Sequence, residues 1–250
     1  MKKMIMVCCL IHICILAACK NADTVVEGSL MEERNPTGAP LQPSVTMPLE
    51  NQEPEDLKDY VLSYPISVED GRALTLNLHG RKLREEVNLY GIGKIEVFDG
   101  SNLIQTISIQ EAISAEWNEQ GVDGDSFGGY TEAFTPDGSL TTVDMNFDSS
   151  QDIGLMSWIT NNNLPYYYWL WNEEQEQFVY SFCLTGAELD EENHQLLSKS
   201  RDGAQYLTEY YQYDESGSLQ AVKRVVETYG GSEVITETYE LINGEWQEVK

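Results

Sequence analysis

The sequence predicts an all-β fold: an antiparallel meander closed as a sandwich, a barrel or a propeller-like domain, with one or two short helices. Strand-forming runs alternate with turn dipeptides, and helical periodicity is scarce. The dipeptides favour the positive φ angles of tight turns. They are Asp70-Gly71, Asp99-Gly100, Asp123-Gly124, Asp137-Gly138, Asp202-Gly203 and Asn243-Gly244. Strands joined by short turns indicate an antiparallel β domain.

The predicted elements follow from these turns in chain order. Strands are predicted at residues 93–98, 103–109, 140–143, 153–158, 205–213, 222–229, 233–239, 237–242 and 245–249. The segment 205–213 is dense in Tyr and Thr, which favour a pleated, half-buried surface. Residues 110–120 and 186–197 could each carry a short helix.

The chain begins with the features of a secretory signal. Lys2 and Lys3 precede an apolar run that ends at Leu16-Ala17-Ala18-Cys19. This arrangement fits a signal peptide over residues 1–18 rather than a membrane span. The cysteine after the small pair resembles the signal of bacterial lipoproteins. The resemblance implies that Cys19 carries a diacylglycerol lipid and anchors the chain on the outer face of the cell membrane. A conventionally cleaved signal is the alternative.

Residues 19–58 are predicted to be the lipidated N-terminus and an extended tether. Prolines interrupt the segment, acidic residues dominate its end, and it contains no aromatic residue. Such a composition does not bury enough apolar surface to fold. A single extracellular β domain is therefore predicted for residues 59–250.

The charge of the chain is strongly negative. Without residues 1–18, 13 Lys and Arg stand against 42 Asp and Glu, a formal charge near −29. Nucleic acid and anionic lipid would be repelled. Divalent metals and basic secreted proteins would be attracted, although solubility alone also explains an acidic composition.

The sequence contains no recognisable catalytic constellation, so we expect a protein that is not an enzyme. A serine nucleophile needs a histidine base and an orienting acid, and Ser126 in the glycine-rich segment 124–129 has only His79 and His194 beyond the signal. These histidines and the single remaining Cys183 do not form a zinc motif or a Cys–His pair. The acids at 173–174 and 188–192 could supply a glycosidase pair, or simply a solvated acidic face.

Residues 144–152 form the second informative motif, because side chains that carry oxygen atoms recur at positions 1, 3, 5 and 9 of a tight loop. Calcium prefers such ligands. The predicted ligands are Asp144, Asn146, Asp148, the backbone carbonyl of Ser150, and Asp152. Leu155 stands where an EF-hand has a bidentate Glu, and Ser149 where it has Gly. The missing Gly and the reduced ligand set predict weak affinity, which fits a stabilising calcium ion. The loop resembles the strand-loop-strand calcium sites of FG-GAP repeats in integrin-like proteins, and the resemblance implies that Asp152 is a direct ligand. An acidic β-turn is the alternative.

The resemblance extends beyond the loop, through the segments 161–163, 166–171, 178–184 and 198–203. This order is similar to that of bacterial lipoproteins with an integrin-like calcium loop, which share a fold with the periplasmic inhibitor of invertebrate-type lysozyme. Some of that group act as immunity proteins against secreted peptidoglycan hydrolases. Such inhibitors place a Ser-Gly-Tyr-type loop in the enzyme cleft. Here Ser216-Gly217 is followed by Ser218 and Leu219, so no inhibitory residue is assigned.

The aromatic run at 166–171 offers a second kind of site. In a strand, Tyr167, Trp169 and Trp171 share one face. If the other face fills the core, these rings could stack on a sugar or contact a protein partner. A strand covered on both faces is the alternative.

These observations predict a membrane-anchored extracellular lipoprotein with a calcium-stabilised, non-catalytic β domain that binds a macromolecular partner. The sharper form is inhibition of a basic, lysozyme-like cell-wall hydrolase. The alternatives are a carbohydrate-binding surface lipoprotein and a wall-active glycosidase.

Overall fold

The strands pair in the order in which they follow one another along the chain. The computed structural model describes residues 59–84, 86–119, 128–160, 163–230 and 233–249. Within these ranges there are fourteen strands and one α-helix. Sheet A contains β1 (Asp59–Val68), β2 (Arg72–Arg84), β3 (Leu89–Asp99) and β4 (Asn102–Ser108), and the helix α1 (Ile109–Glu119) follows it.

Two further sheets continue the same pattern. Sheet B contains β5 (Thr141–Val143), β6 (Asp152–Met156), β7 (Pro165–Asn172) and β8 (Gln177–Thr185). Sheet C contains β9 (Glu188–Asp190), β10 (Gln195–Asp202), β11 (Gln205–Tyr213), β12 (Leu219–Gly230), β13 (Glu233–Ile242) and β14 (Glu245–Val249). Every strand pair in these sheets is antiparallel. The predicted all-β antiparallel fold is confirmed, as three open sheets in a sandwich-like arrangement.

Most of the predicted turns connect consecutive strands. Asp70-Gly71, Asp99-Gly100, Asp202-Gly203 and Asn243-Gly244 each join two neighbouring strands of one sheet. The glycines at these turns have positive φ angles, which residues without a Cβ adopt at little cost. Asp123-Gly124 lies outside the described residues.

One helix prediction is confirmed and the other is wrong. Residues 109–119 form α1, as the pattern at 110–120 predicts. Residues 188–197 instead form the hairpin β9–β10, in which Leu189 lies opposite Leu196. Asp190 stabilises the turn by accepting hydrogen bonds from the amide and the side chain of Asn193. The Asp side chain therefore satisfies backbone groups that a helix would otherwise use.

Two clusters of buried side chains hold the sheets together. The first contains residues of sheet A, α1 and sheet B, and the second contains residues of sheets B and C. Strand β7 contributes to both clusters, with Tyr167 in the first and its neighbour Tyr168 in the second. Because successive residues of a strand point to opposite faces, β7 is covered on both sides.

A glutamine links sheet A to the backbone of sheet B. The side-chain amide of Gln105 on β4 donates to the carbonyl of Phe178 at 2.7 Å, and its oxygen accepts from the Phe178 amide at 2.8 Å. The pair satisfies both backbone groups of a residue on the outer strand β8, groups that an edge strand otherwise leaves exposed.

Candidate functional site

The acidic segment forms the loop between β5 and β6, and its polar side chains fold it. The carboxylate of Asp144 accepts hydrogen bonds from the amides of Asp148 and Ser149, at 3.1 and 2.8 Å. The carboxylate of Asp148 accepts from the amide of Ser150 at 2.8 Å and from the side chain of Asn146 at 2.7 Å. Phe147 and Ser149 have positive φ angles of 62° and 75°. These bonds hold the loop in a conformation that non-glycine residues rarely adopt.

Asp152 ends the loop and is fully buried. Its two oxygens accept from the amide of Met145 at 2.6 Å and the amide of Trp171 at 2.9 Å. Burial raises the pKa of Asp152 to about 7, although the two amide bonds oppose the rise; Asp148 and Asp144 add to it. A positive charge at this place would favour the ionised carboxylate.

The predicted calcium ligands lie in this one loop, but they also serve the backbone. The side-chain oxygen of Asn146 is buried and has no hydrogen-bond partner. Ser150 is 1% exposed, so position 7 lies inside the protein. A carboxylate oxygen that accepts one N–H retains a lone pair for a second partner. The donor set therefore fits a hard cation in chemical type.

The side chains do not converge as a preformed metal cluster. Within the part of the chain that the structure describes, no group of three or more His, Cys, Asp or Glu side chains is placed to hold a metal ion. Calcium binding by Asp144, Asn146, Asp148, Ser150 and Asp152 thus stays a prediction.

The loop also joins the three sheets, a role that its spacing does not predict. The backbone amide of Gln151 donates a hydrogen bond to the Ser67 carbonyl at 2.9 Å, and the side-chain oxygen of Gln151 accepts one from the Ser67 amide at 2.8 Å. Asp152 reaches β7 through Trp171. The hydroxyl of Tyr213, at the end of β11, donates to the Met145 carbonyl at 3.2 Å. These partners are far apart in sequence, so no local pattern could indicate them.

Exposed acidic turns surround this loop. The ring of Phe147 lies 5.1 Å from that of His194, which places the β9–β10 turn beside the loop. The contacts of Trp171 and Tyr213 likewise place the β7–β8 and β11–β12 turns at the same end of the molecule. We call these four segments the acidic loop end. Its exposed acids include Asp148, Glu173, Glu174, Glu191, Glu192, Asp214 and Glu215.

A basic residue close to this end is already neutralised. Arg72 pairs with Asp99 at 2.7 Å and with Glu176 at 3.3 Å. The charge of Arg72 therefore does not offset the other acids of these turns, whose negative charge attracts cations and basic surfaces.

The Ser216-Gly217 turn at this end is held by Asp214. One carboxylate oxygen accepts from the amides of Ser216 and Ser218 and from the Ser216 hydroxyl. Gly217 has a φ of 78°. The turn is exposed and internally bonded.

The expected aromatic contact face is buried, which corrects the sequence interpretation. Tyr167, Trp169 and Trp171 are 1, 3 and 5% exposed and belong to the first core cluster. Sheet A and α1 contribute to the same cluster, so these rings do not reach a sugar or a partner. The alternative of a strand covered on both faces is correct.

The other candidate residues from the sequence do not form a site with the acidic loop, and some of them lie outside the described residues. His79 contacts Glu96 at 2.8 Å on sheet A, whereas His194 lies at the acidic loop end. Cys183 packs against the first core cluster. Cys19, Ser126 and the acidic tether lie outside the described residues. Among the described residues, no helix is both long and apolar enough to cross a membrane.

Comparisons with known proteins bear on the fold and not on the function. No protein-family model matches the chain, and no curated protein matches it significantly. The fold is similar to that of a Xanthomonas protein described as related to a type IV secretion system. That structure is 12% identical, with a TM-score of 0.51, and the match covers 78% of this chain and 98% of the other. A Bacteroides fragilis protein of unknown function is 9% identical, with a TM-score of 0.25 and coverage of 78% and 91%. The Xanthomonas likeness supports a shared fold alone.

Proposed function

We propose that this chain is a lipoprotein anchored on the outer face of the bacterial membrane, whose β domain binds a basic macromolecule without catalysis. The preferred partner is a cationic, lysozyme-like cell-wall hydrolase, which the domain would inhibit. The observation that carries the proposal is the acidic loop end, where three turns present exposed carboxylates around one ordered acidic loop.

Electrostatic complementarity supports a basic partner. A negative surface speeds the encounter with a cationic protein and disfavours anionic competitors. The whole chain has a formal charge of −27, so its long-range field has the same sign as the acidic loop end. Short turns on a rigid sheet framework present these acids with little loss of entropy on binding.

Calcium in the loop would support this surface rather than catalyse a reaction. Asp144, Asn146, Asp148, the carbonyl of Ser150 and Asp152 would hold it, and the buried Asn146 oxygen without a partner favours this assignment. Bound calcium would neutralise part of the loop's self-repulsion and would fix the junction between the sheets.

The experiment is a binding titration of purified lysozyme-like hydrolases against the chain carrying Cys19→Ser, which lacks the lipid. We expect a complex that inhibits lysis and weakens steeply between 0.05 and 0.5 M NaCl, because exposed charges are screened. Glu191→Lys with Glu215→Lys should weaken the complex by at least about tenfold, since like charges at an interface are repelled.

The matched control is Glu245→Lys with Glu248→Lys, which makes the same charge change on β14 of sheet C. The control should retain binding. Equal loss in both variants would show that net charge alone matters, and no complex with any hydrolase would overturn the proposed function.

The anchor has a separate test. Replacing Cys19 by Ser removes the sulfur that the lipid modifies, and we expect the protein to move from the membrane fraction to the medium or periplasm. Cell fractionation with immunodetection measures this. Retention of the Cys19→Ser protein in membranes would contradict lipid anchoring.

A further inference from the structure

Sheet C has an outward face that differs from the acidic loop end. On β10 and β11, Leu196 and Tyr211 are buried in the second core cluster, and Ser198 is buried on the same face of the sheet. The alternate residues point to the opposite face. The strand register places Arg201 opposite Tyr206 and Tyr206 opposite Glu227 on this outward face.

Exposed rings are concentrated there. Tyr206 and Tyr229 are 39 and 48% exposed, and their rings lie 5.1 Å apart at an angle of 64°. Val234, 50% exposed, lies opposite Tyr229. The guanidinium of Arg201 lies 5.0 Å from the centre of the Tyr206 ring. The rings thus form an open corner with a fixed hydrogen-bond donor beside it.

The local charge of this face is only weakly negative. Over the six strands the register assigns to it the cations Lys199, Arg201 and Lys223 and the acids Glu188, Asp190, Glu227, Glu240 and Glu245. Lys199 also pairs with Glu188 at 2.7 Å. In a chain of charge −27, this face provides little electrostatic attraction for a charged macromolecule. Its chemistry suits a neutral one.

We propose that the outward face of sheet C binds a neutral glycan at Tyr206 and Tyr229. A pyranose ring has a face of C–H groups that packs on an aromatic ring, and its hydroxyl groups accept from a guanidinium and donate to a carboxylate. Tyr229 supplies the more exposed of the two rings, and Arg201 and Glu227 supply the polar partners. This site is distinct from the proposed hydrolase surface and from the buried rings of β7.

The test is co-sedimentation of the Cys19→Ser chain with three insoluble neutral glycans, namely chitin, cellulose and a β-1,3-glucan. We expect at least one glycan to retain the Cys19→Ser chain with no further substitution, and to retain it equally at 0.15 and 0.5 M NaCl. Tyr206→Ala and Tyr229→Ala should each lower the apparent affinity by about threefold to tenfold, the range for an aromatic contact. Tyr229→Phe keeps the ring and should retain binding.

Phe134→Ala is the matched control, because Phe134 is 58% exposed but lies outside sheet C. Unchanged melting temperatures would exclude unfolding of the variants. Retention of none of the three glycans, or equal retention of the tyrosine variants and the wild-type sequence, would overturn the glycan site. Retention that 0.5 M NaCl abolishes would indicate a charged partner instead. Because the hydrolase complex is salt-sensitive and involves the acidic turns, either proposal can fail alone.

Discussion

The carboxylate of Asp152 accepts one amide hydrogen bond on each oxygen although the residue is fully buried. Its raised pKa means that the folded protein binds the proton more tightly than the unfolded chain does. Asp152 alone therefore favours folding at low pH, and its contribution to the free energy of unfolding falls as the pH rises toward 7. A bound cation would reverse this trend by favouring the ionised form.

We predict that Asp152→Asn lowers the free energy of unfolding by about 1–3 kcal/mol even without calcium, because an amide NH₂ would face a buried N–H donor. Urea unfolding in EDTA measures this. Asp148→Asn is the matched control, since Asp148 is exposed and its loss should cost less. If Asp152→Asn is as stable as the wild-type protein, the anchoring role of Asp152 is wrong.

At the residue scale, the sequence indicates the loop but not the contacts that the loop makes with distant strands. The spacing of Asp144, Asn146, Asp148 and Asp152 suggests a cation site, and the short hydrogen bonds that Asp144 and Asp148 accept from backbone amides follow the same spacing. The hydrogen bond from the Ser67 amide to the Gln151 side chain and the bond from the Tyr213 hydroxyl to the Met145 carbonyl span 84 and 68 residues. A sequence pattern with no tertiary information does not indicate such contacts.

Individual strands are more predictable than the layers they form. Residues 205–213 are predicted as a strand and form β11 with the same bounds. Alternation along β7 shows which rings share a face, but it does not show how many layers cover the strand. The rings of Tyr167, Trp169 and Trp171 are therefore identified as one face and wrongly expected at the surface.

The helix expected at 186–197 shows how tertiary pairing overrides a weak helical pattern. Leu189 and Leu196 lie opposite each other in the β9–β10 hairpin. Leu196 is buried in the second core cluster, and Leu189 packs against that cluster. An isolated short helix is marginal, so the hairpin that buries both leucines is favoured.

The link between β4 and β8 gives a prediction for these elements. Gln105→Ala removes two hydrogen bonds to the backbone of Phe178, and we expect a loss of about 1–3 kcal/mol in unfolding free energy. Hydrogen exchange at the Phe178 amide should also accelerate. Gln247→Ala, at an exposed glutamine of β14, is the control. Unchanged exchange in Gln105→Ala would contradict the link.

At the scale of the whole molecule, the acidic segment is more than a local turn. It joins β1 through Ser67, β7 through Trp171 and β11 through Tyr213. A cation that binds this loop in the folded protein and not in the unfolded chain would therefore stabilise all three sheets. Composition predicts the negative charge of the chain, but only the fold shows that the acidic loop and three acidic turns meet at one end.

The measurement that tests this account most directly is thermal unfolding of the Cys19→Ser chain in EDTA and in calcium. At about ten times its Kd, calcium should raise the melting temperature by about 3–6 °C. Asp148→Ala should abolish the rise, whereas Glu245→Ala, outside the loop, should retain it. Magnesium at the same concentration should have a smaller effect, because it requires a stricter octahedral geometry. A wild-type melting temperature that calcium does not change would contradict the cation-stabilised loop.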